Sequence, residues 1–205
     1  AWEIKKMYGK NSHVLKCAYP KAILGYNQKV NIRNNLNIID KKVLFSFCRL
    51  EPRKRVELII NAFALLNDNN TVLLIGGTGS AESELRNLVK KLNIENHVYF
   101  LGFIPEKNIY DYYNSCDVFI SADHAAFGLT SYLAIGFNKK VVWTNEYDIV
   151  DILEDTNRIF PADLNTESFR IAIESALVSK IKGEIDLNIY SWENYFKTIH
   201  TILSK

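Results

Sequence analysis

Five short, almost uninterrupted apolar runs, each followed by a stretch of helical periodicity, constrain this chain more than any other feature of it. Val43-Leu44-Phe45-Ser46-Phe47 reads as a buried strand, and Thr71 to Ile75, His97 to Leu101, Asp117 to Ser121 and Lys140 to Thr144 read as four more. Runs that stay apolar instead of alternating are what strands covered on both faces look like. Between them, Val56, Ile59, Ile60, Phe63 and Leu66 share one helical face, and Leu85, Leu88, Val89 and Leu92 share another. Ile109, Tyr112, Tyr113 and Cys116 form a third stripe, and Leu129, Leu133 and Phe137 a fourth. Strand then helix, repeated, implies right-handed crossovers and an α/β doubly wound parallel sheet. The ends differ. Residues 10–42 carry the strand-like His13-Val14-Leu15, Pro20 and an Asn-rich stretch, expected to be a linker and a first hairpin or loop. Trp192, Tyr195, Phe196, Ile199, Ile202 and Leu203 keep helical spacing near the other end, with Ser191 as the N-cap.

At 205 residues the chain fits one domain or, at a stretch, two small ones. Its 25 Lys and Arg against 23 Asp and Glu exclude the basic field of a dedicated nucleic-acid binder. The longest uncharged run, His124 to Asn138, is too short and too polar to span a bilayer as a helix. Cys17, Cys48 and Cys116 lie far apart with no CxxC pair, which points to a reducing compartment and a cytoplasmic location. Ala1 opens the chain where a Met would stand, and the expectation is a piece of something longer.

In an open parallel sheet, ligands bind beyond the carboxyl ends of the strands, so the loops after the apolar runs hold the chemistry. The first is Cys48-Arg49-Leu50-Glu51-Pro52-Arg53-Lys54-Arg55, leading to a helix expected to begin near Pro52. Arg49 and Lys54 are expected to converge there, beside unpaired backbone N–H groups that already favour an anion. The helix dipole adds about 0.3–1 kcal/mol, and each charge-assisted hydrogen bond about 1.5–3 kcal/mol. Such a cluster suits phosphate; the alternative is a solvated helix start. Gly76-Gly77-Thr78-Gly79 would let a ligand approach the backbone, or simply makes a tight turn. Glu82 stands where a GxGxxG motif needs its third glycine, and no acidic residue ends that strand to hold a ribose, which argues against an NAD site. After Ser121, the amides of Gly128, Leu129 and Thr130 are expected to face the same cavity as Arg49. Asp123 and His124 are the titratable groups of that loop, and an isolated pair of this kind is ordinarily a cap and a loop histidine. The four histidines are scattered, so no metal site is expected. Tyr110, Tyr112 and Tyr113 read as core and surface positions and not as a sugar-stacking platform.

Taken in order, these motifs resemble a known family. Arg49-Leu50-x-Pro52-x-Lys54 with Leu58, Ile59, Ala62 and Phe63, then Leu74-Ile75-Gly76-Gly77-x-Gly79, is similar to the C-terminal domain of GT-B retaining glycosyltransferases of the family 4 type. Val98-x-Phe100-Leu101-Gly102, Asp117 to Ile120, Phe127-Gly128-Leu129, Val141-Val142 and Ser191-Trp192-Glu193 continue the match. The resemblance implies one Rossmann-like half of a GT-B fold over residues 21–190. It implies an interdomain linker or the end of a preceding domain in 1–20, and a C-terminal helix in 191–205 that packs toward an N-terminal domain. By the same resemblance, Arg49 and Lys54 hold the diphosphate of a nucleotide-sugar donor, without metal or cofactor. Gly77, Gly79, Phe103, Ile104, Phe127, Gly128, Leu129 and Thr130 line the nucleotide and sugar, with the backbone of Phe103 and Ile104 facing the base. The acceptor, a glycan or lipid, would be held by the preceding domain, so this chain alone is expected not to turn over. Peripheral contact of the full-length protein with a membrane surface is compatible with such acceptors.

The departures matter. The family usually carries two glutamates, for the donor sugar and the ribose, at positions that here hold Ala125 and Leu133. Asp123 is the candidate substitute for the first. Glu146-Tyr147 stands where a glycine pair is expected. Three readings follow: a donor-binding domain with unusual sugar contacts, a degenerate GT-B domain that binds a partner or scaffolds a complex, and a dehydrogenase-like enzyme.

Overall fold

The computed structural model describes residues 6–9, 23, 26–123, 128–146, 156–183, 186 and 191–204. Its elements in chain order are α1 (Ile32–Asn35), β1 (Lys42–Phe47), α2 (Val56–Leu66), β2 (Thr71–Gly76), α3 (Glu82–Lys91), β3 (Val98–Gly102) and α4 (Glu106–Ser115). There follow β4 (Val118–Ser121), α5 (Leu129–Gly136), β5 (Lys140–Thr144), β6 (Ile159–Ala162), α6 (Thr166–Val178) and α7 (Trp192–Leu203). The strands form one six-stranded sheet in the order β3-β2-β1-β4-β5-β6, every pairing parallel. The doubly wound α/β sheet expected from the sequence is therefore present.

Side chains of one strand alternate between two cores. Val43 and Phe45 join Val72, Leu74, Phe119 and Val141 on the face covered by α1, α4 and α5. Leu44 joins Leu73, Val118 and Val142 on the face covered by α2, α3 and α6. Period two persists, and the runs look uniformly apolar because both faces are dry.

Four features depart from the expectations. The helix after β1 does not start near Pro52: Pro52–Lys54 is a single 3-10 turn, and Arg55 in the left-handed region (φ 53) separates it from α2. β6 and α6 were not anticipated. Pro161 within Ile159-Phe160-Pro161-Ala162 obscures a strand, yet at the sheet edge its missing N–H costs no ladder bond on the open side. In α5 the buried face is Ser131, Ala134 and Ile135, while Leu129 is exposed, because the helix packs on β4 and β5 through its small residues. Residues 26–41 hold only α1, with Asn31 capping it by accepting from the Asn34 amide, and no hairpin pairing occurs among the described residues. His13 to Leu15 lie outside them. Ser191 caps α7 as expected, accepting from the Asn194 amide.

The strand order reverses between β1 and β4, where the ladder is short: only Leu44 with Val118 and Phe45 with Phe119 are in register. A side-chain clamp extends it at the amino ends. Asp117 Oδ2 accepts from the Val43 amide at 2.7 Å and from Arg33 Nη2 at 2.8 Å, and Arg33 also donates to the carbonyls of Ser115 and Lys41, both at 2.8 Å. Replacing Asp117 by Ala leaves the buried Val43 amide without its carboxylate acceptor and Arg33 without its counter-ion. Asp117→Ala should lower the unfolding free energy by about 2 kcal/mol, and Asp117→Asn, which retains an acceptor oxygen, by less. Urea titration of the two variants measures the difference.

Candidate functional site

Reversal of the strand order leaves a crevice beyond the carboxyl ends of β1 and β4, because the crossovers on its two sides leave in opposite directions. Residues 48–55 after β1, and Ala122, Asp123 and Gly128 after β4, rim it.

The loop after β1 is held in place by the loop after β2. Parallel pairing runs on beyond the strands: the Cys48 amide donates to the Gly76 carbonyl at 3.2 Å, Leu50 to Thr78 at 2.9 Å, and Ala81 to Leu50 at 2.8 Å. A Cβ on Gly77 would lie 1.9 Å from the Cys48 carbonyl oxygen, and one on Gly79 2.2 Å from that of Leu50. The glycines thus admit the chain's own backbone on their Cβ side, where the sequence suggested a ligand's approach. Their function is to seat the loop that carries Arg49 and Lys54. Gly77 also has φ +115, a region costly for any residue with a Cβ.

The cations of that loop do not converge as free charge. Arg49 is 70% exposed and pairs with Glu51 at 3.1 Å; Arg53 pairs with the other oxygen of Glu51 at 2.8 Å. Lys54 turns inward and its Nζ bonds Asp123 Oδ2, with the two side chains only 11% and 14% exposed. Arg55 crosses to Glu146 at 2.5 Å and reaches toward the Ala122 carbonyl at 3.5 Å. Four cations therefore meet three carboxylates. Lys54 with Asp123, and Arg55 with Glu146, tie the β1 loop to the loops after β4 and β5, across the reversal of strand order.

Asp123 has a second distinction. Its Oδ1 is buried and has no hydrogen-bond partner among the described residues, and an unpartnered buried acceptor costs about 1–3 kcal/mol. Nearby, burial pushes the Cys48 thiol up to about 12, with Asp123 and Glu51 adding to the rise and Lys54 and Arg53 opposing it. Burial likewise raises Cys116 to about 12. Both stay protonated at ordinary pH, so neither is a nucleophile.

Gly128 opens α5 in the left-handed region (φ 50). A Cβ there would lie 2.1 Å from the Trp143 ring, which reaches up from β5 and meets Tyr132 edge-on at 5.6 Å. Trp143 thereby fixes where the first-turn amides of Gly128, Leu129 and Thr130 stand, and such amides have no acceptor inside their own helix. Farther along the rim, beyond the carboxyl end of β3, Phe103 is 77% exposed while Ile104 is 5% exposed and packs beside Gly76. β3 lies two strands from β1, roughly 10 Å away, within the span of a nucleotide laid along the rim. Leu133 is partly buried against the apolar cluster beneath α5 and offers no acceptor. His124, Ala125, Phe127 and Tyr147 lie outside the described residues.

Sequence reasoning brought Lys54 and Asp123 to the crevice separately and missed that they bond each other. It also missed the pairing of Arg55 with Glu146, which lie 91 positions apart and carry no signal along the chain that they meet.

A parallel α/β sheet of this order, with a charged crevice at its reversal, is Rossmann-like, and the family is narrower than that. The sequence model described as Glycosyl transferases group 1 matches residues 28–186, and the chain belongs to that family. It is 26% identical over 187 residues to an uncharacterised glycosyltransferase of Methanocaldococcus jannaschii, covering 85% of this chain and 48% of the relative. Among solved structures, Anabaena HepE in complex with UDP and glucose superposes with a TM-score of 0.78 at 18% identity, over 94% of this chain and 56% of HepE. The C-terminal domain of the Francisella tularensis group 1 protein LpcC superposes with a TM-score of 0.63 at 18% identity, covering 89% of this chain and 94% of that domain. The chain thus spans about half the length of HepE and of the archaeal relative, and nearly all of an isolated C-terminal domain. It has the fold of the C-terminal domain of a GT-B glycosyltransferase.

Two outcomes test this site. Gly77→Ala should destabilise the chain by about 2–4 kcal/mol, more than an exposed Gly→Ala change, because Cβ meets a fixed carbonyl; chemical denaturation reads it. Cys48 and Cys116 should stay unmodified by iodoacetamide at pH 8 and react once denaturant is added, as peptide mapping would show.

Proposed function

We propose that this chain is the donor-binding half of a retaining, metal-independent glycosyltransferase that moves a sugar from a nucleoside-diphosphate sugar to a glycan, lipid or other acceptor. The observation that carries this is Lys54, an almost buried ammonium at the reversal of strand order in a glycosyltransferase-family domain. Lys54 and Arg49 meet the diphosphate, together with the first-turn amides of Gly128, Leu129 and Thr130. As the sugar–phosphate bond breaks, charge gathers on the leaving diphosphate. Lys54, exchanging Asp123 for the phosphate, and the first-turn amides stabilise that charge, which is the role a metal has in other transferases. The nucleotide runs toward β3, its base beside the backbone of Phe103 and Ile104. That HepE binds UDP and glucose supports the same ligand class here.

Acceptor binding belongs to a domain preceding this one, with residues 1–20 leading into it. α7 turns Trp192 and Phe196 to the surface, a face suited to packing on such a domain. Among the described residues no helix is long and apolar enough to cross a membrane. A cytoplasmic protein working beside a membrane on a glycan or lipid fits this reading.

A second reading rests on Leu133, whose apolar packing replaces a ribose acceptor: a domain that no longer turns over and serves as partner or scaffold. Calorimetric titration with UDP and UDP-glucose separates the two. Wild-type binding that falls about ten- to hundredfold in Lys54→Ala, and less in the exposed Arg49→Ala, supports the donor site. No binding at millimolar ligand supports the scaffold. NAD binding that neither change affects would contradict both.

A further inference from the structure

We infer that Asp123 is the internal counter-ion of the diphosphate-binding lysine and shifts the site's selectivity toward the intact nucleotide sugar and away from the free nucleoside diphosphate. This rests on the donor-site reading above and adds a role for a residue that reading leaves idle.

The argument starts from burial. Lys54 and Asp123 are bonded at 11% and 14% side-chain exposure, whereas Arg49 is 70% exposed and the Arg55–Glu146 pair 27% and 24% exposed. Water screens the Arg49 pair well and the Lys54 pair poorly. A ligand phosphate that takes up Lys54 therefore comes within a few ångströms of a carboxylate that little solvent shields. The repulsion grows with the ligand's charge. In a nucleotide sugar both phosphates are esterified; in the free diphosphate the terminal phosphate carries a further negative charge above about pH 6. The same carboxylate thus opposes the product more than the substrate.

The free oxygen works in the same direction. Asp123 Oδ1 is buried with no hydrogen-bond partner among the described residues, and an ionised carboxylate only accepts hydrogen bonds. Just beyond its diphosphate, a nucleotide sugar offers hydroxyl donors. A free diphosphate offers only acceptor oxygens there. The substrate can satisfy Oδ1 and the product cannot, so both effects favour donor entry and product departure.

The 205-residue chain is tested as wild type, as Asp123→Asn and as Asp123→Ser, with UDP and UDP-glucose as calorimetric probes at pH 8. Circular dichroism confirms that each variant is folded, and the serine variant removes the charge with a smaller side chain if the isosteric change is not tolerated. Removing the carboxylate should tighten UDP about tenfold while UDP-glucose changes less than about threefold or weakens, moving the affinity ratio toward UDP. UDP should also raise the melting temperature more in the variants than in wild type, since it then supplies the partner of a buried ammonium. A ratio that stays within twofold of wild type in the folded variants, or moves toward UDP-glucose, overturns the counter-ion role and leaves the donor site standing. Binding of neither probe by wild type at millimolar concentration overturns the donor-site reading and this role with it.

Discussion

Parallel pairing between β1 and β4 is short, and nearly everything about the site follows from how the chain compensates for that. With the order β3-β2-β1-β4-β5-β6, the central junction has two residue pairs in register, and the crevice opens above it. At the amino end, Asp117 and Arg33 close the junction with bonds to the Val43 amide and to nearby carbonyls. At the carboxyl end, Lys54 with Asp123 closes it in the same manner, loop to loop. The lower clamp holds the sheet together. The upper one sits at the proposed diphosphate site, where a ligand that took Lys54 would also redistribute a structural bond.

Electrostatic balance decides how such a crevice behaves. Arg49, Arg53, Lys54 and Arg55 would repel one another if left alone, and Glu51, Asp123 and Glu146 answer them from the same loop and from the loops after β4 and β5. Each cation of the loop is thus paired within the protein, four against three carboxylates, on a loop that backbone contacts hold in place. Preorganised dipoles and charges are effective because little has to move when charge develops on the ligand. The glycines of the β2 loop belong to this preorganisation, since only residues without a Cβ let the carbonyls of Cys48 and Leu50 come so close.

Much of the fold is legible in the residues themselves. The buried strands announce themselves because a strand covered on both faces has no reason to keep polar positions, and the ordered motifs around Arg49, Gly77 and Gly128 point to the glycosyltransferase family before any coordinates. β6 escapes because Pro161 is tolerated only at an edge, and which strand is the edge is a fact about neighbours. The buried face of α5 escapes because its contacts are Ser131 and Ala134, which carry little periodic signal beside Leu129, Leu133 and Phe137.

Local sequence determined the strand–helix order, the caps at Asn31 and Ser191, and the presence of cations at one rim, because propensity, capping and loop position depend on neighbours along the chain. Tertiary structure alone decided that Lys54 meets Asp123 and Arg55 meets Glu146, residues 69 and 91 positions apart. It also decided that Gly77 and Gly79 receive backbone from another loop. Long-range pairings of charge and close backbone contacts are set by how strands stack side by side, and no periodicity along a single strand records which other strand will lie beside it.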